Sequence, residues 1–351
     1  MAERALFRRF PQLQDRLPWL KLADLPTPVQ PLHVADGREL WIKRDDVSAL
    51  PYGGNKVRKL EFLLAAARAR DARRLITVGA AGSHHALATT IYGRKLGFDV
   101  TLVLFPQPLT PHVGTILLLD QAYGAELRYT RRMELVPAAL FVASLRYRQQ
   151  HAFVIPAGGS DATGTLGYVD AALELAEQVN SGLVPAPQTI VVAAGTLGTA
   201  AGLALGFALA GLPVRIEAVR ITSRIVTNER ALARLIRGAQ VLLQRHGLDG
   251  DVAARALASV SLLHDYIGAG YGQQTKAGAQ ATQQFQQLGL HLDPTYTAKA
   301  AAAFLERFSS AARPVLFWQT LSATEPLEML HAGAEHTLPA PFRAYLAGSA
   351  A

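Results

Sequence analysis

The chain of 351 residues contains no cysteine. That absence excludes a disulfide framework, a thiolate nucleophile and any cysteine-ligated zinc or iron–sulfur centre, and it fits a reducing, cytoplasmic setting. Charge is sparse, at 18% of residues against 50% hydrophobic, a balance too apolar for disorder and ample for the cores of two packed lobes. The start, MAERALFRRFPQL, lacks the continuous apolar segment and small-residue cleavage site of a secretory signal. Lysine is scarce: 7 of the 35 basic residues are lysines and 28 are arginines.

The formal charge of +8 and the isoelectric point near 9.8 raise the question of nucleic acid. The arginines, however, are scattered through Ala/Leu-rich stretches such as LLAAARARDARR, with no block and no interleaved aromatics, so solvated helix faces explain them and no nucleic-acid partner is expected. One run of 23 uncharged residues, Ile190 to Leu212, has Gly198, Gly202 and Gly206 in the small-xxx-small register of a packed membrane helix. Its first part, TIVVAA, reads instead as a strand leading through a glycine-rich turn into a helix, and no membrane partner is expected.

Strand-like runs alternate with helical sequence along most of the chain: RRLITVGA, DVTLVLF, ELRYT, FVIPAG, TIVVAAG, VRIEAVRIT and PVLFWQT. Continuous apolar strands separated by helices predict a doubly wound α/β architecture of parallel sheets covered on both faces. Ligands in such sheets sit at the carboxyl ends of the strands.

Five stretches draw attention. In PYGGNKVRKLE, a chain that prefers arginine places Lys56 and Lys59 three residues apart. An ε-amine can lose its proton and attack a carbonyl to form a Schiff base, and a guanidinium cannot; a helix start with both lysines on a solvated face is the other reading. In GAAGSHH, Ser83, His84 and His85 follow a strand; adjacent histidines diverge on a regular element, so no metal site is expected, and Ser83 also suits a helix cap. In AGTLGTAAG, residues Gly195, Thr196, Leu197, Gly198 and Thr199 lack both the dinucleotide spacing and the lysine of a nucleotide-triphosphate loop. What remains is a turn whose amides and hydroxyls suit a single phosphate. Finally, GAGYG and DPTYTAKA place Tyr271, Tyr296 and Thr297 near glycines or a helix start, Thr297 also suiting an N-cap. A Schiff-base amine, a one-phosphate cradle and no nucleotide fingerprint together suit pyridoxal 5'-phosphate.

The order GGNKVRKLE, GxxGSHH, AGTLGTAAG, GAGYG, DPTYTAKA resembles the aminocyclopropanecarboxylate deaminase and D-cysteine desulfhydrase family, within the tryptophan-synthase-beta-like (fold type II) pyridoxal phosphate enzymes, over about residues 25 to 330. The resemblance implies that Lys56 carries the cofactor, that Lys59 approaches its phosphate with Gly195 to Thr199, and that Ser83 contacts the substrate carboxylate or assists proton transfer. It places Tyr271 and Tyr296 on the substrate side and Thr297 opposite the pyridine nitrogen. Deaminases of the family carry glutamate there and desulfhydrases threonine, so elimination of sulfide from D-cysteine, giving pyruvate and ammonia, is expected, with neutral threonine supporting a weaker electron sink. Ring opening of aminocyclopropanecarboxylate, β-elimination from another small amino acid, or cofactor binding without turnover are the alternatives.

The resemblance also implies a homodimer and a small lobe of residues 59 to 170 inserted into a large lobe made of 1 to 58 and 171 to 351. Two departures stand out. His84 occupies the place of an asparagine that bonds the cofactor's phenolic oxygen, and Gln319-Thr320-Leu321-Ser322 replaces His-Thr-Gly-Gly, which predicts an altered backbone approach and substrate choice.

Overall fold

The computed structural model describes residues 4–32, 40–308, 314–331 and 333–346, the side chains of residues 334 and 335 apart. Its strands in chain order are β1 (Val29–Pro31), β2 (Leu40–Arg44), β3 (Arg74–Ala80), β4 (Asp99–Phe105), β5 (Glu126–Tyr129), β6 (Phe153–Ile155), β7 (Thr189–Ala194), β8 (Arg215–Arg220), β9 (Val260–Leu263) and β10 (Val315–Gln319). The helices are α1 (Ala5–Arg9), α2 (Asn55–Arg68), α3 (His84–Lys95), α4 (Pro111–Ala122), α5 (Val136–Arg146), α6 (Ala162–Asn180), α7 (Gly198–Ala210), α8 (Glu229–Arg245), α9 (Ala253–Ala258), α10 (Lys276–Gln287), α11 (Thr297–Arg307) and α12 (Ala334–Thr337).

The chain divides into two compact units, one of residues 1–62 and 160–324, the other of 63–159 and 325–351. The first holds a sheet in the order β1-β2-β10-β7-β8-β9, parallel throughout except for the edge pair β1 and β2. Every residue of β7 and β10 is buried, as expected of inner parallel strands with both faces covered. One face packs on α6, α7 and α8 through Leu166, Leu203, Ile236 and Trp318; the other packs on α10 and α11 through Phe285, Phe304 and Phe317. The second unit holds the all-parallel sheet β5-β4-β3-β6, with Ile76, Val103 and Tyr147 in an apolar cluster.

This division differs from the expected insertion of residues 59 to 170 in three ways, the first being that residues 59–62 lie in the first unit. Helix α6 lies wholly in the first unit: a Cβ on Gly167 would overlap the Arg58 carbonyl, so the two backbones touch there. The C-terminal residues belong with the second unit, where the Tyr345 hydroxyl accepts from the Gln107 amide at 3.2 Å.

Two glycines of the register in the long uncharged run, Gly202 and Gly206, are accounted for by helix packing. A Cβ on Gly202 would lie 2.5 Å from the Thr165 carbonyl oxygen, and one on Gly206 would lie 2.6 Å from that of Val169. The small residues therefore let α7 sit against α6. Among the described residues, no helix is long and apolar enough to cross a membrane.

Candidate active site

Helix α2 begins one residue before Lys56, and its start is fixed from below. The Asn55 amide donates to the Thr320 carbonyl at 3.0 Å, and the Ser322 hydroxyl accepts from the Gly53 amide at 2.8 Å. The segment that departs from His-Thr-Gly-Gly thus clasps the GGN turn, while Gln319 is buried and donates to the His291 carbonyl at 2.6 Å. Beneath the turn, Arg58 is fully buried and donates to Asp45 and Glu174 at 2.8 to 3.0 Å, and Asp45 also accepts from Tyr168 and Trp318. Burial alone would raise the Glu174 carboxyl; Arg58 and Lys43 outweigh it and hold the group at about 2. An ionised network of this kind costs desolvation, and its fixed geometry orients the helix that carries both lysines.

Lys56 and Lys59 differ in their surroundings. Burial pushes the Lys56 amine down to about 8, against an upward pull from Asp293, so a useful fraction is neutral near pH 7. Lys59 is buried, and its ammonium is pushed well below the ordinary lysine value, first by burial and then by the charge of Lys56, with Asp161 opposing. Its Nζ donates to Ser160 Oγ at 3.1 Å, and Ser160 Oγ lies 2.6 Å from Thr196 Oγ1. Neither lysine lies on a freely solvated helix face.

The first turn of α7 completes this group. Leu197 adopts a left-handed φ of +68°, uncommon for a non-glycine residue, and ends the loop at the helix N-terminus. Thr199 Oγ1 accepts from Asn55 Nδ2 at 3.2 Å. A Cβ on Gly198 would stand 2.5 Å from Ser160 Oγ and 2.8 Å from Lys59 Nζ, so this position admits only backbone beside the ammonium and hydroxyl. Backbone amides at a helix start, three hydroxyls and a buried ammonium make a donor set for one phosphate monoester, whose charge would offset the cost of burying Lys59.

Across β7, the Gly195 backbone approaches the ring of Tyr296, whose Cε1 would lie 3.3 Å from a Cβ there. The hydroxyls of Tyr296 and Tyr271 are 2.7 Å apart and their rings meet edge to face. Burial pushes the Tyr271 phenol up to about 12 and Tyr296 well above its ordinary value, so both are neutral at physiological pH. Thr297 is the first residue of α11 and Tyr296 the residue before it, which corrects the reading of Thr297 as the N-cap. The Thr297 hydroxyl donates to Asp293 Oδ1 at 2.8 Å and accepts from the Asp293 amide at 2.8 Å. Its proton is committed to a carboxylate, so toward any ring nitrogen it offers a lone pair.

In the second unit, Ser83 ends the loop after β3 and caps α3, accepting from the Ala86 amide at 3.2 Å. His84 Nε2 is 3.4 Å from His112 Nε2, and His112 Nδ1 is 3.4 Å from Glu325 Oε1. His85 turns the other way, with Nε2 3.0 Å from Thr77 Oγ1, and no metal-binding cluster occurs among the described residues.

In the first unit, Lys56, Lys59, the residues from Gly195 to Thr199, Tyr296 and Thr297 lie at or near strand ends or helix starts, and Tyr271 lies in the loop between β9 and α10. Sequence reasoning passed over Ser160, Asp293, His112 and Glu325. Asp293 stood inside the DPTYTAKA motif, and its Asp-Pro before a helix was the available capping signal; Ser160 and the His112–Glu325 pair had none, because their partners are distant in sequence.

A parallel sheet with a desolvated lysine at a helix start and a one-phosphate cradle at the end of a central strand defines the class, and the comparisons agree. A family profile described as pyridoxal-phosphate dependent enzyme matches residues 20–317, and the chain belongs to that family. It is 37% identical over 321 residues to the D-cysteine desulfhydrase of Salmonella schwarzengrund, covering 87% of this chain and 94% of that one. To the D-cysteine desulfhydrase of Salmonella paratyphi B it is 38% identical over 306 residues, covering 84% and 89%. A crystal structure of an aminocyclopropanecarboxylate deaminase homologue superposes with a TM-score of 0.76 at 34% identity, over 92% of this chain and 95% of that one. The chain is a pyridoxal phosphate-dependent lyase of the D-cysteine desulfhydrase-like kind.

Proposed function

We propose that the protein eliminates sulfide from D-cysteine, giving pyruvate and ammonia. The observation that carries this reading is Lys56, a desolvated amine with a value of about 8, three residues before a buried lysine that joins Ser160 and Thr196 beside Gly198. The related D-cysteine desulfhydrases suggest the substrate.

Lys59, Ser160, Thr196, Thr199 and the amides of the first turn of α7 would hold the phosphate, and Lys56 would hold the aldehyde. When bound, pyridoxal phosphate supplies an electron sink for the substrate's α-carbon. Lys56, released as a free amine, removes the α-proton; the carbon–sulfur bond breaks and sulfide leaves with the bonding pair. Water then hydrolyses the released enamine to pyruvate and ammonia. Tyr271 and Tyr296 are kept neutral; one hydroxyl donates to the other, which leaves the second phenol's proton to be donated toward the departing sulfur. Thr297, its proton given to Asp293, would face the cofactor's ring nitrogen with a lone pair. By the match of GSHH to the family's loop, Ser83 would meet the substrate carboxylate or assist proton transfer, and His84 would stand in the place of the family's asparagine. The protein works as a cytoplasmic homodimer.

The experiment is product analysis with D-cysteine, L-cysteine and aminocyclopropanecarboxylate. Sulfide and pyruvate in equal amounts from D-cysteine are expected. 2-Oxobutyrate from aminocyclopropanecarboxylate, or a cofactor spectrum with no product from any of the three, would refute the proposal.

A further inference from the structure

Lys299 is one of only 7 lysines in the chain, and its side chain is fully buried at the third position of α11. Its Nζ donates to the carbonyl oxygens of Ile267 at 2.8 Å and Gly270 at 2.9 Å. Those carbonyls belong to the segment between β9 and α10, which has neither strand nor helix and carries left-handed glycines at Gly268 (φ +65°), Gly270 (φ +144°) and Gly272 (φ +76°). Such a backbone has more freedom to lose on ordering than any other and needs ties to hold one conformation. Tyr271 follows Gly270 directly, and its hydroxyl meets Tyr296, the residue that opens α11. One helix therefore grips this loop twice, by its backbone through Lys299 and by its tip through Tyr296.

A compact ammonium with three rotatable donors suits two carbonyls on a tight turn, where a planar guanidinium does not. Burial pushes the Lys299 amine down to about 8, with Asp293 pulling it up, so the group is held in place at an electrostatic cost. We propose that Lys299 is a positioning residue that fixes the Tyr271 loop against α11 and so presents the Tyr271 hydroxyl to substrate. The presentation to substrate rests on the function proposed above; the tie between Lys299 and the loop does not.

The test is amide hydrogen exchange of the full chain, with and without pyridoxal phosphate, for the parent, Lys299→Met, and Lys299→Cys before and after alkylation with 2-bromoethylamine in denaturant and refolding. Because the chain has no other cysteine, alkylation restores an amine at that position alone. Exchange across residues 264–275 should rise tenfold or more in Lys299→Met and in unmodified Lys299→Cys, stay at the parent level in β7 and α7, and return toward the parent on alkylation. In the loaded enzyme KM for D-cysteine should rise more than kcat falls. Unchanged exchange in the loop, an equal rise across β7 and α7, or no recovery on alkylation would overturn the proposal. A chain that turned over no amino acid would still give the exchange result, which separates this inference from the functional reading.

Discussion

Tyr271 and Tyr296 share a hydrogen bond of 2.7 Å between their hydroxyls, with the rings edge to face at 5.8 Å. Each phenol is buried, and the pair joins the loop between β9 and α10 to the start of α11. The Tyr296 hydrogen bond pulls the Tyr271 phenol down, against the larger effect of burial. Tyr296→Phe should therefore push Tyr271 ionisation further up and cost about 1–2 kcal/mol by leaving one hydroxyl unpaired. Ultraviolet titration and urea denaturation check both. A phenol held above its ordinary value adds stability that is full below pH 10 and is lost as pH rises toward 12, so the loss of folding in alkali should begin in that window.

Gly198→Ala places a methyl where Ser160 Oγ and Lys59 Nζ already stand at 2.5 and 2.8 Å. The fold should survive, and retention of pyridoxal phosphate on dialysis should weaken tenfold or more. Gly182→Ala, at a left-handed position with nothing within 4 Å, should cost about 1 kcal/mol of stability and leave retention unchanged. Equal retention in the two variants would remove α7 from the phosphate site.

The Glu174 carboxyl, held at about 2 against an ordinary value of 4.5, is stabilising above pH 4.5, and that contribution is lost as pH falls toward 2. Arg58→Met leaves Glu174 and Asp45 buried without their guanidinium and should cost about 3–5 kcal/mol at pH 7. It should also flatten the acid limb of the stability profile, measured by denaturant midpoints between pH 3 and 7.

His84 has a defined neutral form if Glu325 accepts from His112 Nδ1. The lone pair of His112 Nε2 then accepts from His84 Nε2, and the proton of the neutral His84 ring sits on Nε2. Nitrogen-15 spectra of the ring should show that tautomer in the parent and a mixture in His112→Leu. A parent ring protonated on Nδ1 would break the chain from Glu325 to the loop.

Much of this arrangement was legible in the sequence because it rests on local signals. Continuous apolar runs marked β3, β4, β7, β8 and β10, and glycines marked the start of α7. Strand β2 was not read, because LWIKR carries two cations and the partners of its buried Lys43 are the Thr27 carbonyl and, far along the chain, Glu174 and Gln178. The edge strand β1 is three residues ending in proline, and β9 is half-buried, so neither has a clear alternation. Lys56 and Lys59 stood out because lysine is rare here, and Lys299 shared that rarity without a carbonyl pattern to explain it. Partnerships such as Ser160 with Thr196, or Arg58 with Glu174, arise from tertiary packing, and composition does not display them.

The central claim is that Lys56 holds the cofactor while Lys59 meets its phosphate. Borohydride reduction of the pyridoxal phosphate-loaded protein, followed by proteolysis and mass mapping, tests it most directly. The account predicts the reduced pyridoxyl phosphate adduct on Lys56 alone; an adduct on Lys59, on Lys299 or on no lysine would contradict it.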